Sequence, residues 1–222
     1  MDIYIIVFLS VFCILLLVAG KILSKFFKYI VSDIEKAKRL ANEGKNNLAI
    51  EKLRGILSKN KVDENERAKV HAMIGDCYFK TEEYPFAIVE YRHALDEGYY
   101  SPEVVLSLGK SLSKIGKNEE ALSQFLTLLK LDNNYKNIVS MEIGVIYYDN
   151  RQYDTALKYF DNILELDKTN KDALKYKAYC FVNMENYVEA ISIIEALIKK
   201  NQNDTLLNYN LGRAYKGRGN YK

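Results

Sequence analysis

Several residue types that mark specialised protein classes are scarce or absent in this chain of 222 residues. It has no tryptophan, two prolines, three cysteines and two histidines. The low proline count excludes a proline-rich linker protein, and the low cysteine count excludes a disulfide-stapled scaffold. The two histidines, His71 and His93, lack the spacing of a metal site, so no metal centre is expected.

Charge and catalytic motifs also exclude several functions. The 32 Lys and Arg residues nearly balance the 29 Asp and Glu residues, and the net charge of +3 is too small to indicate nucleic acid as the main partner. The sequence has no phosphate-binding loop and no nucleophile elbow, so we expect no catalytic residue and no cofactor. Because 49% of the residues are hydrophobic, disorder of the whole chain is excluded as well.

The N-terminus carries one long apolar run. Residues 3–20 are 18 residues without a charge, and 13 of them are Ile, Val, Leu or Phe. As a helix this run spans about 27 Å, close to the hydrocarbon thickness of a bilayer. We predict an uncleaved transmembrane anchor over residues 1–23. A signal peptide is disfavoured because no Lys or Arg precedes the run, and a buried core helix is the weakest alternative.

Basic residues follow the apolar run. Lys21, Lys25 and Lys28 flank it on the C-terminal side, whereas Asp2 precedes it. Positive residues favour the cytoplasmic side of a membrane. We therefore predict a single-pass protein of the inner, or cytoplasmic, membrane, with a basic juxtamembrane helix or linker over residues 24–34 and the remaining chain in the cytoplasm. A periplasmic location is the alternative.

The remaining chain repeats one pattern with a period of 34 or 35 residues. Each complete copy begins with a small residue. A large apolar residue follows 3 positions later, an alanine 12 positions later and another large apolar residue 16 positions later. Apolar residues at helical spacing predict two helices in each copy. The copies start at Gly75, Gly109, Gly144, Ala178 and Gly212, and a weaker copy includes Ala37. The repeats are predicted near residues 30–63, 68–101, 102–136, 137–170, 171–204 and 205–222, the last one incomplete.

This pattern resembles the tetratricopeptide repeat (TPR) family, in particular its membrane-anchored bacterial members. The resemblance implies an all-α fold, in which the N-terminal transmembrane helix precedes an α–α superhelical solenoid of about five and a half repeats over residues 35–222. The Trp that usually marks an early position of this repeat is absent, and so is the Pro that usually marks a late position. The small residues are expected where helices cross, and the aromatic residues are interpreted as core. Gly44, Gly116 and Gly219 are expected to end helices in the left-handed conformation.

The resemblance also implies a partner-binding surface. In this family the first helix of each pair lines a concave face that binds a protein or peptide. We expect an apolar floor with basic flanks, suited to an extended segment or an amphipathic helix with acidic residues. Some members of the family hold the terminal carboxylate of a partner with basic and polar residues of the first helices. Asp76 stands at one of these positions here, and its negative charge argues against such a clamp. The predicted groove consists of Leu106, Lys110, Met141, Val145, Tyr148, Lys175, Tyr179, Tyr209 and Arg213.

The most economical function is a membrane-anchored scaffold or adaptor without catalysis. One alternative is a regulator of envelope lipopolysaccharide assembly, because the layout is similar to such regulators, although their C-terminal CxxC module is missing here. Another is a structural subunit of a large envelope machine such as a periplasmic flagellar collar. The final helix would expose an apolar side. We therefore expect a longer native chain, self-association, or a neighbour that covers this end.

Overall fold

Helices joined by short turns make up the part of the chain that the computed structural model describes, which is residues 18, 20–21, 30–58, 62–199 and 204–219. Helix α1 is described over residues 30–42, and no strand occurs within these ranges. The predicted all-α repeat class is confirmed. The helices that follow are α2 (Asn46–Leu57), α3 (Glu64–Lys80), α4 (Tyr84–Asp96), α5 (Pro102–Lys114), α6 (Asn118–Leu131), α7 (Lys136–Asp149), α8 (Tyr153–Leu166), α9 (Lys171–Asn183), α10 (Tyr187–Ile198) and α11 (Thr205–Gly217), with a 3-10 turn at Asn133–Tyr135.

Two compact units divide the chain, unit 1 at residues 1–107 and unit 2 at residues 108–222, so the boundary falls within α5. In unit 1, α3 packs against both α2 and α4. In unit 2, each helix from α7 to α11 packs against the next one along the chain. Packing between sequence neighbours is the arrangement that a helical repeat requires.

Three helix pairs meet through a glycine and a buried aromatic ring. A Cβ atom added to Gly75 would lie 2.7 Å from the ring of Tyr91, and one added to Gly144 would lie 2.6 Å from the ring of Phe160. Gly109 has the same relation to Phe125. All three rings are fully buried. The glycines are therefore needed because the backbone of the first helix lies closer to the ring of the second helix than a Cβ atom allows.

The same two positions carry a different pair of residues in the other repeats. Ala37 with Leu53, and Ala178 with Ile194, have the spacing of Gly144 with Phe160, and all four side chains are fully buried. Where the small residue gains a methyl group, the large residue is aliphatic instead of aromatic. Gly212 differs from the expectation, because no atom lies within 4 Å of a Cβ built on it.

The turn that ends the first helix of each pair uses the left-handed backbone conformation. Gly44, Gly116 and Gly219 have φ angles of 76°, 78° and 80°, as predicted. The equivalent residues Glu82, Arg151 and Glu185 take the same conformation with φ angles of 60° to 63°. A side chain in this region is strained. The turn geometry is therefore set by the packing of the helices rather than by glycine alone.

Helix α11 is attached to α9 through its N-terminal cap. The carboxylate of Asp204 accepts hydrogen bonds from the backbone N–H groups of Leu206 and Leu207, at 3.1 and 3.0 Å. It also accepts one from Lys175 Nζ on α9 at 2.9 Å. The backbone hydrogen bond from Leu207 and then the bond from Lys175 lower the pKa of Asp204. Asp204 thus serves both as a helix cap and as a tie between neighbouring helices.

Among the described residues, no helix has the length and apolar character needed to cross a bilayer. The predicted anchor at residues 1–23 lies outside the described residues except for residues 18, 20 and 21. Lys25 and Lys28 are also outside them, while Lys21 is exposed on a helical segment.

Candidate partner-binding cleft

A cleft of about 440 Å³ opens in unit 1 between α1, α3 and the beginning of α5. These are the first helices of three successive pairs, which is the face that the repeat pattern assigned to partner binding. Part of the lining is apolar and is supplied by all three helices. It consists of Val31, Ile34, Ala72, Met73 and Val104.

Charged side chains also line this cleft, and acids outnumber bases. Glu35 binds Lys38 at 3.0 Å, and Glu66 binds Lys69 at 2.9 Å, so these four charges largely neutralise each other. The remaining ionisable carboxylates of the lining are Asp76 and Glu103, and Glu103 accepts a hydrogen bond from Ser101. The cleft therefore combines an apolar lining with charged groups, and Asp76 is a carboxylate of this lining that lies outside the local ion pairs.

Asp76 is held in place by the core of its own repeat. Tyr91 of α4 donates its hydroxyl hydrogen bond to Asp76 Oδ1 at 2.8 Å. The protein around the cleft displaces water and raises the pKa of Asp76, and the Tyr91 hydrogen bond and the charge of Lys80 offset only part of this effect. Asp76 is nevertheless exposed, so it presents an accessible carboxylate to the cleft in a position fixed by Tyr91.

The predicted groove residues of unit 2 occupy a more crowded surface. Met141, Val145 and Tyr148 are partly buried and pack against the core of α8 and α9. Tyr148 contacts the rings of Tyr153, Tyr176 and Tyr179 at centroid distances of 5.6, 5.5 and 6.4 Å. These residues form a tyrosine cluster rather than an open apolar floor. Leu106 is the one predicted groove residue that belongs to unit 1, and it is half-buried.

The exposed position predicted for Tyr179 is wrong. Its side chain is 3% exposed, because it shares a core cluster with residues of α11 and the rings of Tyr148 and Tyr176 pack against it. Within the described part of the chain, its hydroxyl group is buried without a hydrogen-bond partner. Burial raises the pKa of Tyr179 well above its usual range. Tyr179 is therefore a core residue with an unsatisfied polar atom.

The basic residues predicted to flank this groove are engaged locally. Lys110 forms an ion pair with Glu142 at 2.9 Å, and Lys175 forms the ion pair with Asp204 described above. Arg213 donates one hydrogen bond to Asn183 and one to Asn210, and it lies over the ring of Tyr209, which is 63% exposed. Paired lysines attract an acidic segment less than free ones do. The structure therefore brings the predicted residues of unit 2 together but weakens the charge argument made for them.

Sequence reasoning passed over the cleft in unit 1, although a signal for it was present. Asp76, which the sequence analysis considers as a residue of the partner-binding face, lines the cleft. Asp76 was considered only as a residue that repels a carboxylate. The carboxylates on the first helices of unit 1 are visible in the sequence, whereas the convergence of four of them on one cleft is not.

Reactive side chains do not form a chemical centre within the described residues. No group of three or more His, Cys, Asp or Glu residues in that part of the chain is placed to hold a metal ion. Cys77 and Cys180 are both buried as free thiols, and burial raises the pKa of Cys180 to about 12. A buried thiol with a raised pKa is unreactive and packs as a small apolar residue.

Family models and curated proteins match parts of this chain. Two models described as tetratricopeptide repeat match residues 106–170 and 147–209. Intraflagellar transport protein 70A of Xenopus laevis is 38% identical over 64 residues, which is 29% of this chain and 10% of that protein. Hsp70-Hsp90 organizing protein 2 of Arabidopsis thaliana is 25% identical over 113 residues, which is 51% of this chain and 19% of that protein. The chain thus spans less than a fifth of the length of these curated relatives.

Solved structures show the same fold. A tetratricopeptide repeat protein from Parabacteroides merdae has a TM-score of 0.73 at 21% identity, with 86% of this chain and 74% of that one covered. YrrB, described as a TPR protein with an unusual peptide-binding site, has a TM-score of 0.63 at 20% identity, with 80% of this chain and 89% of that one covered.

The TPR fold is typically a non-catalytic scaffold, and proteins that contain it act in protein–protein interaction. TPR domains bind protein or peptide partners. The helix pairs, the close contacts between them and the matched models lead to one assignment: residues 106–209 carry tetratricopeptide repeats, and the chain has the fold of a tetratricopeptide repeat protein.

Proposed function

We propose that this protein is a membrane-anchored scaffold that binds a segment of a partner protein in the cleft of unit 1. The observation that carries the proposal is the cleft itself, because it combines an apolar lining with ionisable groups on the face formed by first helices. Such a surface suits a short segment that buries apolar side chains and makes a few oriented polar contacts. The similarity to a TPR protein with a peptide-binding site supports this use of the fold.

Site-specific photo-crosslinking tests whether partners reach this cleft. A photoreactive benzoylphenylalanine in place of Val31, which lines the cleft and is 43% exposed, should crosslink to a partner in the native membrane. The same residue in place of Val89 is the matched control. Val89 is a valine of unit 1 with 50% exposure that lies on α4 and does not line the cleft.

We expect discrete adducts at Val31 and none at Val89, detected as shifted bands and identified by mass spectrometry. Equal labelling at both positions would mean non-specific contact. Absence of adducts at Val31 would overturn binding in the cleft. The readout is independent of the partner's charge, so it tests the binding function alone.

The membrane anchor is a separate part of the proposal and rests on the apolar run at residues 3–20 and the lysines that follow it. We expect alkaline phosphatase fused after Lys222 to be inactive in a bacterial host, because the enzyme is active only outside the cytoplasm. Deleting residues 1–23 should move the protein from the membrane fraction to the soluble fraction. An active fusion would place the repeats in the periplasm and favour the envelope-machine alternative over a cytoplasmic scaffold.

A further inference from the structure

Asp76 is a carboxylate of the cleft in unit 1 that lies outside the local ion pairs. Glu35 pairs with Lys38 on α1, and Glu66 pairs with Lys69 on α3. The charges within each pair largely neutralise each other without a ligand. Asp76 has no Lys or Arg within ion-pair distance among the described residues. Its hydrogen-bond partner is the neutral hydroxyl of Tyr91, and Lys80 acts on it only as a more distant charge.

Asp76 is exposed and lines the cleft, so its carboxylate is accessible to a ligand there. A ligand that brings an ammonium or guanidinium group to this carboxylate forms an ion pair that no described Lys or Arg forms with it. The Tyr91 hydrogen bond fixes the position of Oδ1, so the carboxylate needs little ordering when a cation arrives. A lone Asp76 with one phenol does not supply the ligand set that a divalent cation requires.

The apolar lining adds a second requirement for the ligand. Val31 and Met73 are accessible, and Ile34 and Val104 lie behind them with 9% and 5% exposure. A small cation would leave this surface in water. A polypeptide segment with apolar and basic side chains covers the apolar lining and reaches the carboxylate at the same time.

We propose that the cleft of unit 1 selects a cationic amphipathic segment of a partner protein, with apolar side chains on Val31 and Met73 and a Lys or Arg paired with Asp76. This inference rests on the proposed function and reverses the charge that the sequence suggested for the partner. An acidic segment or a terminal carboxylate is disfavoured because it would face Asp76.

A direct binding measurement tests the charge preference. The full chain is placed in phosphatidylcholine nanodiscs, which carry no net lipid charge. The probe is a fluorescein-labelled peptide of 14 leucine and lysine residues arranged as an amphipathic helix. The comparison peptide has glutamate in place of every lysine. We expect fluorescence anisotropy to report saturable binding of the lysine peptide, weakened by added salt, and no binding of the glutamate peptide.

Two protein variants with the same net charge locate the effect. Asp76→Asn keeps the acceptor for Tyr91 and removes the charge, so the lysine peptide should bind about tenfold more weakly. Asp96→Asn removes one negative charge from an exposed position at the end of α4 that does not line the cleft, and it should leave the affinity unchanged. Melting curves of both variants establish that they are folded.

The outcomes separate this inference from the function on which it rests. Equal affinity of the wild type and Asp76→Asn, or equal loss in both variants, would overturn the role of Asp76. Failure of the lysine peptide to bind, together with discrete crosslinks at Val31, would overturn the cationic partner and leave cleft binding intact. Loss of both would remove the proposed function as well.

Discussion

Replacement of Gly144 by alanine is expected to destabilise unit 2 by about 1–3 kcal/mol, the usual cost of overpacking a core. A Cβ at this position would lie 2.6 Å from Phe160 Cε1 and 2.9 Å from Cζ, and the ring has no exposed surface into which it can move. Alanine is favoured over glycine in a helix by about 1 kcal/mol, so the clash must exceed that gain. Urea denaturation followed by circular dichroism measures the difference.

Gly212→Ala is the matched control for this substitution. Gly212 occupies the same repeat position in α11, but nothing lies within 4 Å of its Cβ. We expect this variant to be unchanged or more stable, because only the helix preference of alanine remains. Equal destabilisation by Gly144→Ala and Gly212→Ala would contradict the packing explanation.

A second substitution should rescue the first. Phe160→Leu alone removes ring volume opposite a glycine and is expected to destabilise by about 1 kcal/mol. The double variant Gly144→Ala with Phe160→Leu recreates the alanine–leucine pair found at Ala37 and Leu53. We expect a favourable coupling energy of about 1 kcal/mol or more in the double-mutant cycle. Strict additivity would show that the two positions do not share one packing space.

Tyr179 should respond in opposite directions to two substitutions. Tyr179→Ala removes a ring that is 3% exposed and is expected to cost about 3–5 kcal/mol, like other truncations of core aromatic residues. Tyr179→Phe keeps the ring and removes the unpartnered hydroxyl, so we expect a gain of about 1 kcal/mol. Melting temperatures of the two variants, compared with the wild type, measure both effects.

Tyr148→Phe is the control for the hydroxyl effect. Tyr148 belongs to the same cluster, but its hydroxyl accepts a hydrogen bond from Asn183 Nδ2 at 3.2 Å. Its loss is expected to be neutral or destabilising by about 1 kcal/mol. A lower melting temperature for Tyr179→Phe than for Tyr148→Phe would show that the buried hydroxyl of Tyr179 has a partner in solution.

The helices and their crossings could be predicted from the sequence because the information lies within each repeat. The spacing of small and large residues identified the helix pairs, and the glycines at positions 44 and 116 identified the turns. Glu82 and Arg151 could not be recognised as left-handed residues from their type. Their conformation follows from the packing of the flanking helices, which only the repeat frame indicates.

The candidate site was less predictable because it depends on which exposed groups have partners. Lys110 and Lys175 look like free positive charges in the sequence, but each lies beside a carboxylate from another helix. Tyr179 shares the helix face expected to be open, yet neighbouring rings cover it. Helix periodicity gives the direction of a side chain, whereas exposure and pairing also depend on neighbours distant in sequence.

The two residues that set each helix crossing lie 16 positions apart, and both are contained in one repeat. Gene duplication that copies a whole repeat therefore transmits a matched pair, and the new copy needs no compensating change elsewhere in the protein. Recombination that joins halves of different repeats would instead combine alanine with phenylalanine, or glycine with leucine. Arrays of this kind can thus change in length more readily through complete repeats than through fragments, since each repeat is inherited with its own fitted contact.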